Sequence, residues 1–194
     1  MRLIPFGPDA TLLEVADATE ALDLALWLRE RVDAREIVPA AATVLVSHAT
    51  DDLASVVGQW TPSGGLEEGS LVEVPVTYDG PDLTDVADHW GVPVDEVVSS
   101  HVSAHHVAAF SGFAPGFAYL AHDGGWDDVP RRAAPRSRVE PGSVGLAGPY
   151  TGIYPTASPG GWQLIGHTDI ELWDQDREPP ALLAPGTRVR FVAR

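Results

Sequence analysis

The sequence contains no lysine; all twelve basic residues are Arg. A P-loop lysine, a Schiff-base lysine, a biotinylated lysine and a Ser-Ser-Lys amidase triad are therefore impossible within this chain. Cysteine is absent too, which removes disulfides, thiolate nucleophiles and Cys-based zinc sites together. Positive charge is scarce: 12 basic residues stand against 28 Asp and Glu, a formal net charge of −16. Such a chain repels nucleic acid and anionic membrane surfaces. No apolar run approaches the roughly 18 residues that span a bilayer. Nor does Met1-Arg2-Leu3-Ile4-Pro5 open a basic segment followed by an apolar one. A cytoplasmic location is the expectation that agrees with these absences.

What is present suits a globular chain of one large or two small domains: 194 residues, 44% of them hydrophobic. Residues 1–80 are expected to form a small α+β domain. Leu12 to Val15 suits a strand. Asp17 with Glu20 three residues on is a capping-box start for a helix. On that helix Ala21, Leu24, Ala25, Leu28 and Val32 share one face, while Trp27 falls on the polar face as a covered side chain or an anchor for another protein. Val38 to Ser47 supplies one or two strands. Thr50 and Asp51 suit the start of a short helix running to Trp60, which Thr61 to Gly65 ends. Leu71 to Tyr78 alternates as a strand, with Pro75 marking an edge or a bulge. This order fits a split βαβ, ferredoxin-like arrangement.

Asp79-Gly80-Pro81 is the expected boundary, and residues 81–194 the second domain. Its two leading helices, Asp82–His89 and Pro93–His101, imitate a helix-turn-helix. The second carries Asp95 and Glu96 and no Arg, so it repels phosphates. From Val107 onward short apolar stretches alternate with Gly and Pro, the texture of a closed or nearly closed β-barrel.

Four stretches carry chemistry. In Gly112 to Leu120 (GFAPGFAYL), three aromatics flank a Gly that permits close backbone approach, or simply pack in a tight turn. Pro130 to Arg138 (PRRAAPRSR) concentrates Arg131, Arg132, Arg136 and Arg138 in a stiff segment. These suit a carboxylate or phosphate, or else neutralise acids of the same chain. His101 and His105 stand four apart, but no third metal ligand is evident, so hydrogen-bonded or exposed imidazoles are expected. Thr151 to Thr168 (TGIYPTASPGGWQLIGHT) holds neutral hydroxyls, aromatic walls and Gly amides, an inventory for a small amide-like molecule. His167 within it is the histidine expected to share that cleft. No Gly-x-Ser-x-Gly elbow surrounds Ser143 or Ser158, so neither has the context of a nucleophile.

Together with REPPALLAPGTRVRFV, these stretches resemble, in order, the family of the bacterial 5-oxoprolinase B component, whose members are also called allophanate hydrolase subunit 1 or sporulation-kinase inhibitor. The resemblance runs from about Val72 to the C-terminus. It implies a cyclophilin-like barrel behind a small α/β domain. It also implies the C component of the same enzyme as a partner subunit and, with a third component, ATP-dependent opening of 5-oxoproline to glutamate. Related domains occur in urea carboxylase, and one relative inhibits a histidine kinase, so the alternative expectations are a regulatory inhibitor of a sensor histidine kinase or a subunit associated with urea carboxylase and allophanate hydrolysis. ATP, with its Mg2+, would be held by the partner or by non-classical elements, and no protein-bound metal is expected. The cleft implied for this chain comprises Arg131, Arg136, Tyr154, Ser158, Gly160, Gly161, Trp162 and Gln163 as substrate-binding residues, with His167 moving a proton. The chain departs from the family pattern at Tyr150, where Gln is expected, at His167, where Arg is expected, and in Ala121–Val129.

Overall fold

The computed structural model describes residues 1–49, 52–63 and 69–194; Thr50 and Asp51, expected to start a helix, and Gly64 and Gly65, expected to end it, lie outside the described residues. The chain divides into two compact units, Met1–Gly69 and Ser70–Arg194.

The first unit is a four-stranded sheet carrying one long helix. Strands β1 (Arg2–Pro5), β2 (Ala10–Glu14), β3 (Glu36–Pro39) and β4 (Thr43–Ser47) lie in the order β1-β2-β4-β3, each antiparallel to its neighbour. Helix α1 (Ala18–Arg29) starts as the sequence predicts, the Asp17 carboxylate accepting from the Glu20 N–H at 2.9 Å and the Glu20 side chain reaching back to the Ala16 N–H. Its apolar face, Ala21, Leu24, Ala25 and Leu28, is sealed against Leu13, Val44 and Val46 of the sheet. Fully burying a side chain such as Leu24 stabilises by roughly 2 kcal/mol. Trp27 is half-buried, its ring covered by the Arg31 guanidinium 4.6 Å from the centroid. Helix α2 is short (Leu53–Val57) and ends before Trp60.

The strand over Leu71–Val76 (β5) does not join this sheet. It pairs in parallel with the last strand, β13 (Arg188–Ala193), in the second unit. There it is an edge strand, as Pro75 suggests, while β1, which the sequence did not suggest, stands at an edge of the first unit's sheet. The division between units accordingly falls at Gly69 and Ser70 rather than at Asp79–Pro81.

The second unit is mostly β. Strands β6 (His106–Ser111), β7 (Ala118–His122), β9 (Ser143–Ala147), β10 (Tyr150–Ile153) and β12 (Gln163–His167) join β5 and β13 in the order β12-β9-β10-β7-β6-β13-β5. The outer members nearly close into a barrel: Thr77, just past β5, exchanges both backbone hydrogen bonds with His167 at 2.9 Å. Glycine makes that seam possible. A Cβ on Gly80 would lie 2.2 Å from the Leu164 carbonyl oxygen, and one on Gly166 would lie 2.4 Å from the Thr77 oxygen. Helices α3 (Leu83–Trp90) and α4 (Val94–Ser103) pack Leu83, Val86 and Val97 into the barrel core with Val74, Leu120, Ile165 and Phe191. They are core elements, not a pair presented to a groove. A two-stranded ribbon, β8 (Arg136–Val139) with β11 (Ser158–Gly160), stands apart from the barrel sheet.

Candidate functional site

The ribbon and the chain on either side of it build a cavity of about 220 Å³, lined by Phe113, Phe117, Tyr119, Arg131, Pro135, Tyr154, Pro159, Gly160, Gly161 and Trp162. Tyr154 leaves β10 and is fixed at once. Its N–H donates to the Ser143 carbonyl at 2.9 Å, and its carbonyl accepts from Gly142 at 2.7 Å. The ribbon places Gly160 opposite Arg136, and the Arg132 N–H donates to the Gly161 carbonyl at 2.8 Å. The Arg-bearing and Gly-bearing loops are thereby stitched together as two walls.

Aromatic rings form the remaining walls. Phe117 meets Tyr154 and Trp162 edge to face at centroid distances of 5.5 and 5.3 Å. Two glycines allow this packing. A Cβ on Gly152 would stand 2.7 Å from the Phe117 ring, and one on Gly160 would stand 2.3 Å from the Tyr154 oxygen. At the mouth Phe113 is 61% exposed and sits at φ 69, a left-handed conformation that costs a non-glycine residue energy. Burial pushes the Tyr154 hydroxyl pKa up, against the lowering effects of the Trp162 backbone amide and of the Arg131 and Arg136 charges. The cavity therefore has apolar walls and one electropositive side, where Arg131 is exposed and makes no ion pair among the described residues.

Five of the residues expected from the sequence thus meet here: Arg131, Tyr154, Gly160, Gly161 and Trp162. Four lie elsewhere. Arg136 donates to the Asp82 carboxylate at 2.7 Å. Ser158 and Gln163 are half-buried beside the cavity, the Gln163 amide donating to the Pro130 carbonyl at 3.2 Å. The Ser158 Oγ and Gln163 Oε1 have no partner among the described residues. His167 is not among the lining residues and bonds Asp79 through Nδ1 at 2.8 Å, beside the barrel seam.

Asp82, absent from the expected cleft, is the residue that organises it. Its side chain is 2% exposed. One oxygen accepts from both Arg132 and Arg136 at 2.7 Å, and the other from the Leu164 N–H at 2.7 Å. The only signal in the sequence was an acid at a helix start, which ordinarily means a cap. Tyr150, one of the family departures, is half-buried against Phe110 and Tyr119, outside the cavity lining.

The histidines lie apart from this cavity. His101 is fully buried, bonded through Nδ1 to the Tyr78 hydroxyl at 2.7 Å and through Nε2 to the Thr151 hydroxyl at 3.1 Å. His106 is 2% exposed and His122 stacks on Trp126 at 3.9 Å. Burial holds His101 well below its ordinary pKa and His106 at about 3, with His122 also lowered. His105 is exposed and pairs with Asp123 at 2.8 Å. Among the described residues no group of three or more His, Cys, Asp or Glu is placed to hold a metal ion. No described helix is long and apolar enough to cross a membrane.

Comparison with known proteins gives three kinds of match. The family model for the carboxyltransferase domain, subdomain C and D, covers residues 1–183. The chain is similar to the B component of 5-oxoprolinase from Escherichia coli O157:H7, 44% identical over 207 residues, 98% of this chain and 95% of that protein. Among solved structures, TTHA0988 superposes with a TM-score of 0.75 at 32% identity, over 96% of this chain and 40% of that longer one. The urea amidolyase of K. lactis shares the fold alone, with a TM-score of 0.68 at 17% identity, over 99% of this chain and 15% of that one.

Proposed function

The chain belongs to the carboxyltransferase-domain family, subdomains C and D, and from that premise we propose that it is the B component of an ATP-dependent 5-oxoprolinase. The observation that carries this is the 44% identity to a 5-oxoprolinase B component, spanning nearly the whole of both chains. The reaction is the hydrolytic opening of a cyclic amide to glutamate. The nearly closed barrel is in this reading a cyclophilin-like one. The aromatic cavity receives the five-membered ring between Phe117, Tyr154 and Trp162, and the Gly160–Gly161 backbone stands ready for an amide oxygen. His167 bonds Asp79 at the seam, outside the cavity lining, and in this reading it does not carry the proton transfer. That step falls to a group brought by another component of the enzyme.

The C component and a third one complete the enzyme. ATP is its co-substrate and Mg2+ arrives with the nucleotide. Three of the described helix starts do not suit a triphosphate: α1, α3 and α4 carry Glu20, Asp85, and Asp95 with Glu96 in their first turns. With no lysine in the sequence a P-loop is excluded, which leaves the nucleotide to the partner or to non-classical elements of this chain. An amidase of the Ser-Ser-Lys type is excluded on the same ground. The test is co-purification with a candidate C component, followed by an assay of ATP-dependent glutamate release with the third component. Release is expected only when this chain is present; full activity without it sinks the reading.

A further inference from the structure

The loop behind the cavity keeps positive charge that the chain does not neutralise. In a sequence of net charge −16, four of the twelve basic residues fall within residues 130–138. Arg138 is paired with Glu140 at 2.7 Å. Arg132 and Arg136, 33% and 22% exposed, share one oxygen of one carboxylate, Asp82, whose second oxygen is spent on the Leu164 amide. Arg131 makes no ion pair among the described residues. Three guanidinium groups against one carboxylate leave two surplus positive charges. Donors are unspent as well: Arg132 Nε and Arg136 Nη1 are buried with no acceptor among the described residues. Holding surplus charge partly out of water is costly, and acids are plentiful elsewhere in the sequence. A fold that withholds them here leaves the counter-charge to come from a ligand.

The surplus borders the cavity. Arg131 lines it, and the charges of both Arg131 and Arg136 act on the Tyr154 hydroxyl. Gly160 stands opposite Arg136, and Arg132 is tied to Gly161. A carboxylate would cancel one of the two charges. A phosphoryl group carries about −1.5 to −2 and offers three acceptor oxygens, so it cancels both. We propose that the Arg131 side of this cavity is a subsite for a phosphoryl dianion, with Arg131 in direct contact and the Asp82-anchored Arg132 and Arg136 supplying the field behind it. The bearer is an acyl phosphate or a nucleotide's terminal phosphate. Only that choice of bearer rests on the proposed function; the subsite rests on the charge count.

The experiment is a titration of the full chain with inorganic phosphate, followed by the amide NMR signals of Gly160, Gly161 and Trp162, with acetate as the monoanionic control. Saturable shifts with phosphate are expected, at least about tenfold tighter than with acetate. Arg131→Ala should weaken phosphate binding at least about tenfold, and Arg131→Lys should restore part of it. Arg131 is exposed, so the variants should melt with the parent, which a thermal scan checks. Acetyl phosphate and ADP then tell the two bearers apart, and competition with phosphate by either upholds the proposal. It is overturned by the absence of saturable phosphate shifts, by acetate binding as tightly as phosphate, by an unaffected Arg131→Ala variant, or by competition from neither bearer. Phosphate binding without glutamate release by the complex would remove the proposed function and leave the subsite; the reverse pairing would do the opposite.

Discussion

At Asp82 a helix start gives up its usual cap. The side chain makes no capping bond to α3 and turns instead to two guanidinium groups and a strand amide. Its partners lie 50, 54 and 82 residues along the chain, which is why no local pattern revealed it. A neutral Asn at this position leaves two partly buried cations without their anion. We expect Asp82→Asn to lose about 3 kcal/mol of stability, measured by urea denaturation. Arg138→Ala, which breaks only the solvent-screened pair with Glu140, should leave the denaturation midpoint almost unchanged. Equal losses in the two variants would contradict the organising role given to Asp82. The motifs, by contrast, were legible residue by residue where chemistry and packing coincide. Gly160 and Trp162 stood out as glycine and aromatic neighbours, and they meet Tyr154 in space.

Among the elements, α1 was readable because everything that defines it is local: a cap, a reciprocal Glu and an apolar stripe. The barrel strands after Val107 were readable as short apolar runs between turns. The partnership of β5 was not. Its alternation shows a strand with one buried face, Val74 and Val76, but says nothing of which sheet accepts it. The pairing that decides this is a parallel one with a strand more than a hundred residues away. Closure of the barrel depends on a short seam, the bridge between Thr77 and His167 and the Gly80 and Asp82 amides that donate to the Ile165 and Leu164 carbonyls. Gly80→Ala would force a methyl group into the Leu164 and Ile165 backbone. We expect the seam to open locally while the core holds. Amide exchange at Thr77 and His167 should accelerate at least about tenfold, with Leu120 and Val144 unchanged. Uniform acceleration across the barrel would show that the seam is not a separate unit of stability.

For the molecule as a whole, the buried imidazoles set the response to acid. His101 and His106 are held neutral by burial, and each is further disfavoured as a cation by neighbouring His122. The surrounding charges on His106 are mixed: His105 also lowers its pKa, while Asp123 and the Ala104 carbonyl raise it. Above the ordinary value of 6.5 these groups are neutral whether the chain is folded or not, and the stability they permit is fully present. As pH falls below 6.5 the unfolded chain binds protons that the folded one refuses. Stability is therefore lost downward, for His106 until about pH 3. The slope is about 1.4 kcal/mol per pH unit for each histidine. Denaturation midpoints between about pH 7 and about pH 4 should show this decline, and His106→Gln should flatten it by about one proton's worth. A midpoint that rises on acidification would exclude neutral buried histidines. The composition foretold an acidic chain, but not that its acid sensitivity would reside in the barrel core.

The parallel run of β5 beside β13 has one more consequence. Leu71 stands opposite Arg188 and Val76 opposite Ala193, so the chain comes into this unit at one rim and reaches Arg194 at the other, about 20 Å away. The Arg194 amide bonds the Val76 carbonyl, and its guanidinium bonds Asp169 at 3.1 Å. Both contacts sit next to the residues that clasp the seam. Pulling on position 194, by a tether or a bulky fusion, would load the clasp directly, while the same pull at position 70 would spend itself on the far rim. The C-terminal strand is in that sense a drawstring, and a tag placed there is a mechanical perturbation as well as a label.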